Sequence, residues 1–202
     1  MGAAIPGSKP QQSLFDTAKI LEKENIPEAV KLLFVRGYYK RTMGDPTKND
    51  RRIYDDAVFV VSPDCYVSFN CNVDPNGVRP GHGKGSSKGM ASLKFGLYRA
   101  HKIGLHKGQY IALVQTAGKV TVYRDADSSV PQDQTTYLDG QRVYEETGMF
   151  GINIHRGGVS GTSSLGCLTI PTAQYPAFIA LVQAQLKKYG QKVMPVLIVE
   201  GA

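Results

Sequence analysis

Tryptophan is missing from the 202 residues, cysteine is limited to three, and the apolar runs are short. None approaches the ~20 residues a bilayer-spanning helix needs, and the longest candidates, such as Pro195–Val199, are strand-sized. The start, Met1-Gly2-Ala3-Ala4-Ile5-Pro6, has neither the basic-then-apolar pattern of a leader peptide nor the Ser or Thr of a myristoylation signal. These absences predict a soluble chain with no membrane span, made in the cytoplasm and needing release, injection or lysis to reach a cell wall. Cys65, Cys71 and Cys167 cannot all pair with one another, and the Cys-x5-Cys spacing of the first two is not that of a zinc knuckle. With no export signal, a reduced compartment is the default, so all three are expected as thiols. The 22 glycines follow no triplet period and hydrophobic residues make up 42%, which excludes collagen and wholesale disorder. A chain of this length can bury about 70% of its extended surface, enough for a core without staples.

Acidic residues are also missing where the cations gather. Arg79, Lys84, Lys88, Lys94, Arg99, Lys102 and Lys107 fall in a stretch without Asp or Glu, and these seven equal the whole formal net charge of +7. From Asp125 to Glu146 the balance reverses, with Asp125, Asp127, Asp133, Asp139, Glu145 and Glu146 against Arg142 alone. A solvated, solubilising surface and a contact with an anionic polymer both account for the cationic block. The glycine-rich Gly81–Gly89 inside it is not a nucleotide loop. Gly83-Lys84 is followed by Gly85 instead of Ser or Thr, and a dinucleotide fingerprint from Gly81 would need Gly where Ser86 stands. Neither a cofactor nor nucleic acid is expected.

Along the chain, residues 1–12 read as a loose tail, and Ser13 with Asp16 forms a capping box before Leu14, Ala18 and Leu21 at helical spacing. Pro27 suits the first turn of a second helix carrying Val30, Leu33 and Phe34 and ending at Gly37. After Arg52 the pattern turns to strands at Ala57–Val61, Cys65–Phe69, Tyr110–Thr116, Val120–Tyr123, Met149–His155 and Val193–Val199, with Ala117-Gly118-Lys119 as a hairpin-type turn. One late helix spans about Pro176 to Tyr189, with Phe178, Leu181, Val182, Leu186 and Tyr189 inward and Gly190 as its stop. The expected fold is β-rich α+β, with a tail and helical region over 1–52 and a main domain over 53–202.

The chemistry concentrates between Phe150 and Pro171. Ile152 and Ile154 point one way on a strand, while Asn153 and His155 point the other. A pliable loop of small and polar residues runs to Ser164, Gly166-Cys167 follow, and Leu168-Thr169-Ile170 resumes a strand. Small residues before a cysteine leave backbone N–H groups open and the sulfur approachable. A free thiol is only a few per cent thiolate at neutral pH, so a nucleophilic role for Cys167 needs a base, and the imidazole of His155 can take the proton and return it to a leaving amine. The Cys167 N–H and a neighbouring one would supply an oxyanion hole. The alternative, a buried small cysteine and a strand-end histidine with no joint task, stays open on these residues alone. A metal site is not expected, since no second Cys or His lies at ligand spacing.

His155-x-Gly-Gly, a Gly/Ser/Thr loop and Ser164-Leu165-Gly166-Cys167 before an apolar strand resemble the L,D-transpeptidase catalytic domain. The likeness covers about residues 149–171, with a weaker echo over Leu93–Gln115 and none over 1–80. It implies a β-sandwich or barrel, and attack by Cys167 on the L-configured (or diamino acid) carbonyl next to a D-residue in a peptidoglycan stem peptide. His155 would be base and then acid, its other nitrogen held by a backbone carbonyl close to the next residue. Gly166 and Ser164 would shape the oxyanion hole, and Asn153 would line the substrate site. Leu165 stands where the family's second His is usual, and Thr169 where many members carry Arg or Asn, so Arg156 is the expected partner for a substrate carboxylate. An anionic wall polymer would suit the cationic block. A wall-degrading L,D-peptidase on the same scaffold and a polyanion-binding structural protein are the alternatives. Of the remaining histidines, His82, His101 and His106 read as surface residues, with His106 the one placed to border a cleft.

Overall fold

The computed structural model describes residues 5–43, 52–76, 91–125, 143–159 and 161–201. The Gly81–Gly89 loop, Arg79, His82 and most of the acidic block lie outside them. The order is α1 (Leu14–Glu24), β1 (Lys31–Arg36), β2 (Asp56–Ser62), β3 (Cys65–Cys71), β4 (Ala91–Leu93), β5 (Gly96–His106), β6 (Tyr110–Gln115), β7 (Val120–Asp125), β8 (Val143–Gly148), β9 (Ile154–Arg156), β10 (Leu168–Ile170), α2 (Tyr175–Lys188) and β11 (Met194–Glu200). Eight strands form one sheet in the order β10-β9-β6-β5-β11-β1-β2-β3, and β4-β7-β8 form a second. The large sheet curls into a nearly closed barrel. Its two end strands meet just beyond β3, where Asn72 and Thr169 of β10 exchange both backbone hydrogen bonds at 2.9 Å. The architecture is thus β-rich α+β, as expected. Among the described residues no helix is long and apolar enough to cross a membrane.

The expected second N-terminal helix is a strand. Leu32, Leu33, Phe34 and Val35 are fully buried in β1, which lies between β2 (antiparallel) and β11 (parallel). A strand covered on both faces shows a continuous apolar run instead of alternation, and such a run cannot be told from a short buried helix by period. Leu32 and Phe34 face the main core with Val196, Leu113, Ile154 and the inward side of α2, whereas Leu33 and Val35 face a smaller core with Phe59, Tyr38 and Tyr39. Residues 31–36 therefore belong to the main sheet.

Helix α1 starts at the Ser13–Asp16 capping box and covers the smaller core. Its inward residues are Thr17, bonded to the Tyr66 hydroxyl at 2.7 Å, with Ile20 and Leu21, while Leu14 stays exposed. Helix α2 sits within a residue of its expected bounds and buries Phe178, Val182 and Leu186. The Ala117–Lys119 turn is not a hairpin. It passes the chain from β6 in the large sheet to β7 in the small one, with Ala117 N–H bonded to Ala100 O at 2.9 Å.

Folding joins the two charge blocks through one ion pair and pairs a member of each block elsewhere. Lys94 on the β4–β5 connection meets Glu145 on β8, Arg124 meets Glu146, and Arg99 meets Glu28. Part of the excess positive charge is thereby neutralised locally.

Because Phe34 is central to the barrel, Phe34→Ala should cost about 3–5 kcal/mol in a urea unfolding titration. A loss below about 1 kcal/mol, as at a peripheral helix, would contradict the position of β1.

Candidate active site

β9 and β10 are parallel, with Leu168 opposite Ile154 and Thr169 opposite His155. Ile154 and Leu168 point into the core at no exposure. Extending the ladder back by one residue sets Cys167 beside Asn153, whose N–H donates to the Cys167 sulfur at 3.4 Å while its carbonyl accepts from Leu168 N–H at 2.9 Å. The thiol in turn lies 3.4 Å from the Gly151 carbonyl, its acceptor. The alternation read from the sequence, isoleucines in and Asn153 and His155 out, holds although the regular strand begins only at Ile154.

The approach to β9 is clamped by one side chain. Gln115 Oε1 accepts from the N–H groups of Phe150 and Ile152 at 3.0 and 2.9 Å, and its Nε2 donates to the carbonyls of Gly148 and Gly118 at 2.9 and 3.1 Å. Asn153 is organised in the same way. Its Oδ1 accepts from the Gln115 N–H at 2.9 Å, which orients the amide, and its Nδ2 donates to His106 Nδ1 at 3.1 Å. Asn153 lies on the cavity wall; its side-chain amide joins β6 and His106, and its backbone N–H reaches the cysteine.

His155 is buried and held from several sides. Its Nδ1 lies 2.7 Å from the Arg156 carbonyl, and since a carbonyl can only accept, Nδ1 carries the proton and Nε2 keeps the lone pair. The Tyr110 hydroxyl lies 3.3 Å from the same nitrogen. The His106 ring stacks on His155 with centroids 4.1 Å apart and 24° between planes. Burial, the neighbouring His106 and then Lys107 push the His155 pKa down to about 4, against the upward pull of the Arg156 carbonyl. Burial pushes the Cys167 thiol up, opposed by the Asn153 N–H and Lys107. At neutral pH the pair is therefore an uncharged thiol and an uncharged imidazole.

Both side chains line a cavity of about 520 Å³, with His106, Asn153, Ser164, Leu165, Gly166, Lys107 and Arg124 among its walls. Ser164 shapes the turn before the cysteine: its Oγ accepts from Gly166 N–H at 2.9 Å and donates to the Cys167 carbonyl at 2.6 Å. The Gly166 N–H is thus engaged inside the turn, while the Cys167 N–H has no partner among the described residues. Gly166 is required by space, since a Cβ there would sit 2.6 Å from the Ala91 carbonyl oxygen and 3.0 Å from Ile152 Cδ1.

Arg156 is exposed, lies over the Tyr110 ring at 4.9 Å, and is not part of the cavity wall. Among the described residues the cavity's cations are Lys107 and Arg124. His101 is not a surface residue: it is fully buried, with Nε2 2.8 Å from the Ile152 carbonyl, and burial lowers its pKa to about 4. His106 does border the cleft. Gln115, Tyr110 and Lys107 were missed as site residues; the Lys107-Gly108 turn between two strands was the available signal. All three cysteines are free, with Cys71 fully buried and Cys65 and Cys167 partly exposed.

Searches against family models, curated proteins and solved structures return no match to this chain.

Because the thiol and imidazole are both neutral, the alkylation rate of Cys167 by iodoacetamide should climb with pH through 7–9 without levelling off in the acid range. A plateau near pH 5–6 would instead reveal a resting thiolate–imidazolium pair. Gly166→Ala should push the turn off Ala91 and slow alkylation of Cys167 at least tenfold, a contact effect seen without any substrate.

Proposed function

We propose that the chain catalyses cysteine-dependent acyl transfer on peptidoglycan stem peptides, at the bond between an L-centre (or the L-configured centre of a diamino acid) and a D-residue. The observation that carries this reading is the placement of Cys167 and His155 on the wall of one cavity, with His155 Nδ1 tied to the Arg156 carbonyl. That tie leaves Nε2 as the basic atom and needs no carboxylate as third partner. The resemblance in the His155–Cys167 segment supplies the substrate class.

The neutral pair works by general-base catalysis. As Cys167 Sγ bonds to the carbonyl carbon, His155 Nε2 takes the thiol proton, and the Cys167 N–H donates to the oxygen that gains charge. Collapse breaks the peptide bond, and the proton passes from His155 to the departing amine of the D-residue. The thioester that remains on Cys167 is resolved by an acceptor amine, which makes a cross-link. Resolution by water would give peptide hydrolysis. Burial of His155 keeps it unprotonated, and so competent as a base, at every pH above its lowered value of about 4. The imidazolium formed during the reaction is destabilised by the same burial, which favours rapid return of its proton to the leaving amine.

An anionic wall polymer would find support outside the cleft. Lys102, Lys187 and Lys192 line a separate groove of about 480 Å³ with no acidic residue in its wall among the described residues.

Incubation with purified sacculi, followed by mass analysis of muropeptides, tests the reading. New dimers should form with the wild type, and Cys167→Ala should give none while melting like the wild type. His155→Ala should slow turnover by about 10²–10⁴-fold. Shortened stems without dimers would make the enzyme an L,D-peptidase, and unchanged muropeptides would remove the proposal.

A further inference from the structure

The two cations that the described residues place on the cavity wall differ in what they already touch. Arg124 is buried, its Nε donates to Glu146 at 2.5 Å, and its guanidinium lies over the Phe150 ring at 4.9 Å. Lys107 is exposed and makes no ion pair, side-chain hydrogen bond or ring contact among the described residues. Its charge nonetheless reaches the site, lowering the proton affinity of His106, His155 and Cys167 alike.

The backbone puts the lysine there at some cost. Lys107 and Gly108 are the central residues of a turn closed by Gln109 N–H to His106 O at 3.0 Å, and their φ values are +51° and +72°. This mirror-image turn matches the twist of the β5–β6 hairpin and favours Asn, Asp or Gly at its centre. A long cation therefore occupies a position where the local conformation prefers a short residue, and the turn holds it at the mouth of the cavity.

We propose that Lys107 is a specificity residue of this cavity, its ammonium binding a carboxylate that the substrate carries beside the carbonyl attacked by Cys167. The inference rests on the acyl-transfer reading and narrows its substrate class. Stem peptides whose residue at the scissile bond keeps a free carboxylate would be preferred over those in which that carboxylate is amidated. Arg156, the cation expected from sequence order, is away from the cavity wall.

A test that needs no turnover compares alkylation of Cys167 in the intact chain by iodoacetate and by iodoacetamide. In both, the sulfur bonds to the methylene carbon, iodide leaves and the thiol proton goes to solvent, so the rate ratio isolates the reagent's charge. Lys107→Asn removes the cation and places a residue suited to positive φ, so the fold should be kept. The iodoacetate-to-iodoacetamide ratio should fall about five- to tenfold in Lys107→Asn at low salt, and the wild-type ratio should fall as salt is raised. Lys107→Arg should keep most of it. A ratio unchanged in Lys107→Asn overturns the proposal. In turnover, Lys107→Asn should lower kcat/KM about tenfold more for free-carboxylate stem peptides than for amidated ones. Equal changes for both overturn the specificity role. If the wild type turns over neither peptide while the alkylation ratio still shifts, the acyl-transfer reading falls and the anion subsite stands.

Discussion

A parallel ladder of three residues, β9 against β10, sets the relation between the thiol and the imidazole. Leu168 opposite Ile154 is a core contact with no solvent exposure on either side, so the register is held by burial as well as by hydrogen bonds. A slip of β10 by one residue would turn Leu168 and Ile170 outward and carry Cys167 away from Asn153. β10 is fixed on its other side as well, because Thr169 pairs with Asn72 and closes the sheet there. The strand that follows the cysteine therefore serves as the seam of the barrel. A site built on such a seam depends on the whole sheet: movement of β3 or β9 would reach the sulfur through two short backbone ladders.

The polar groups around the ladder are spent on geometry. Gln115 uses its amide on four backbone groups, Asn153 links β6 to His106, and Ser164 closes the turn before Cys167. Each hydrogen bond contributes about 1 kcal/mol net, while a buried group left without a partner costs about 1–3 kcal/mol, so these networks punish partial disruption more than their sum suggests. Asn153, read from the motif as lining the substrate site, and Gly166, read as shaping the oxyanion hole, both lie on the cavity wall and also hold the backbone around Cys167 and His106. From sequence order alone a polar residue facing a cleft cannot be divided between these tasks, because the partner that occupies it comes from a distant strand.

Much of the fold was legible where local signals are strong. The alternation of β3, the β-branched run of β2, the Ser13–Asp16 cap and the amphipathic α2 ending at Gly190 were readable because each carries its own pattern. β1 was not, since burial on both faces erases the alternation that separates a strand from a helix. β5 carries little pattern of its own because Arg99 and His101 interrupt its apolar face; one pairs with Glu28, and the other is buried against the Ile152 carbonyl. The Ala117–Lys119 turn had hairpin chemistry but joins two sheets, a choice made by tertiary pairing. At the site, Cys167 and His155 were both visible in the motif, whereas His106 and Lys107 reach the same cavity from a hairpin about fifty positions upstream.

The electrostatics follow from the same enclosure. Burial disfavours the charged form of every titratable group, so it raises the thiol and lowers the imidazole, and proton transfer between them at rest becomes unfavourable from both ends. An ion pair could repay that cost only with strong stabilisation of both charges. The surroundings offer the thiolate one backbone N–H and a nearby lysine, and they confront the imidazolium with His106 and that same lysine. One cation thus acts in opposite senses on the two partners, helping the sulfur ionise while opposing protonation of the ring. The neutral pair is the state this balance favours, and a substrate that brings its own negative charge to Lys107 would relax the lysine's opposition to the imidazolium at the moment the proton moves. In that arrangement, anion binding at the cavity mouth and basicity at His155 Nε2 are coupled through a single ammonium group.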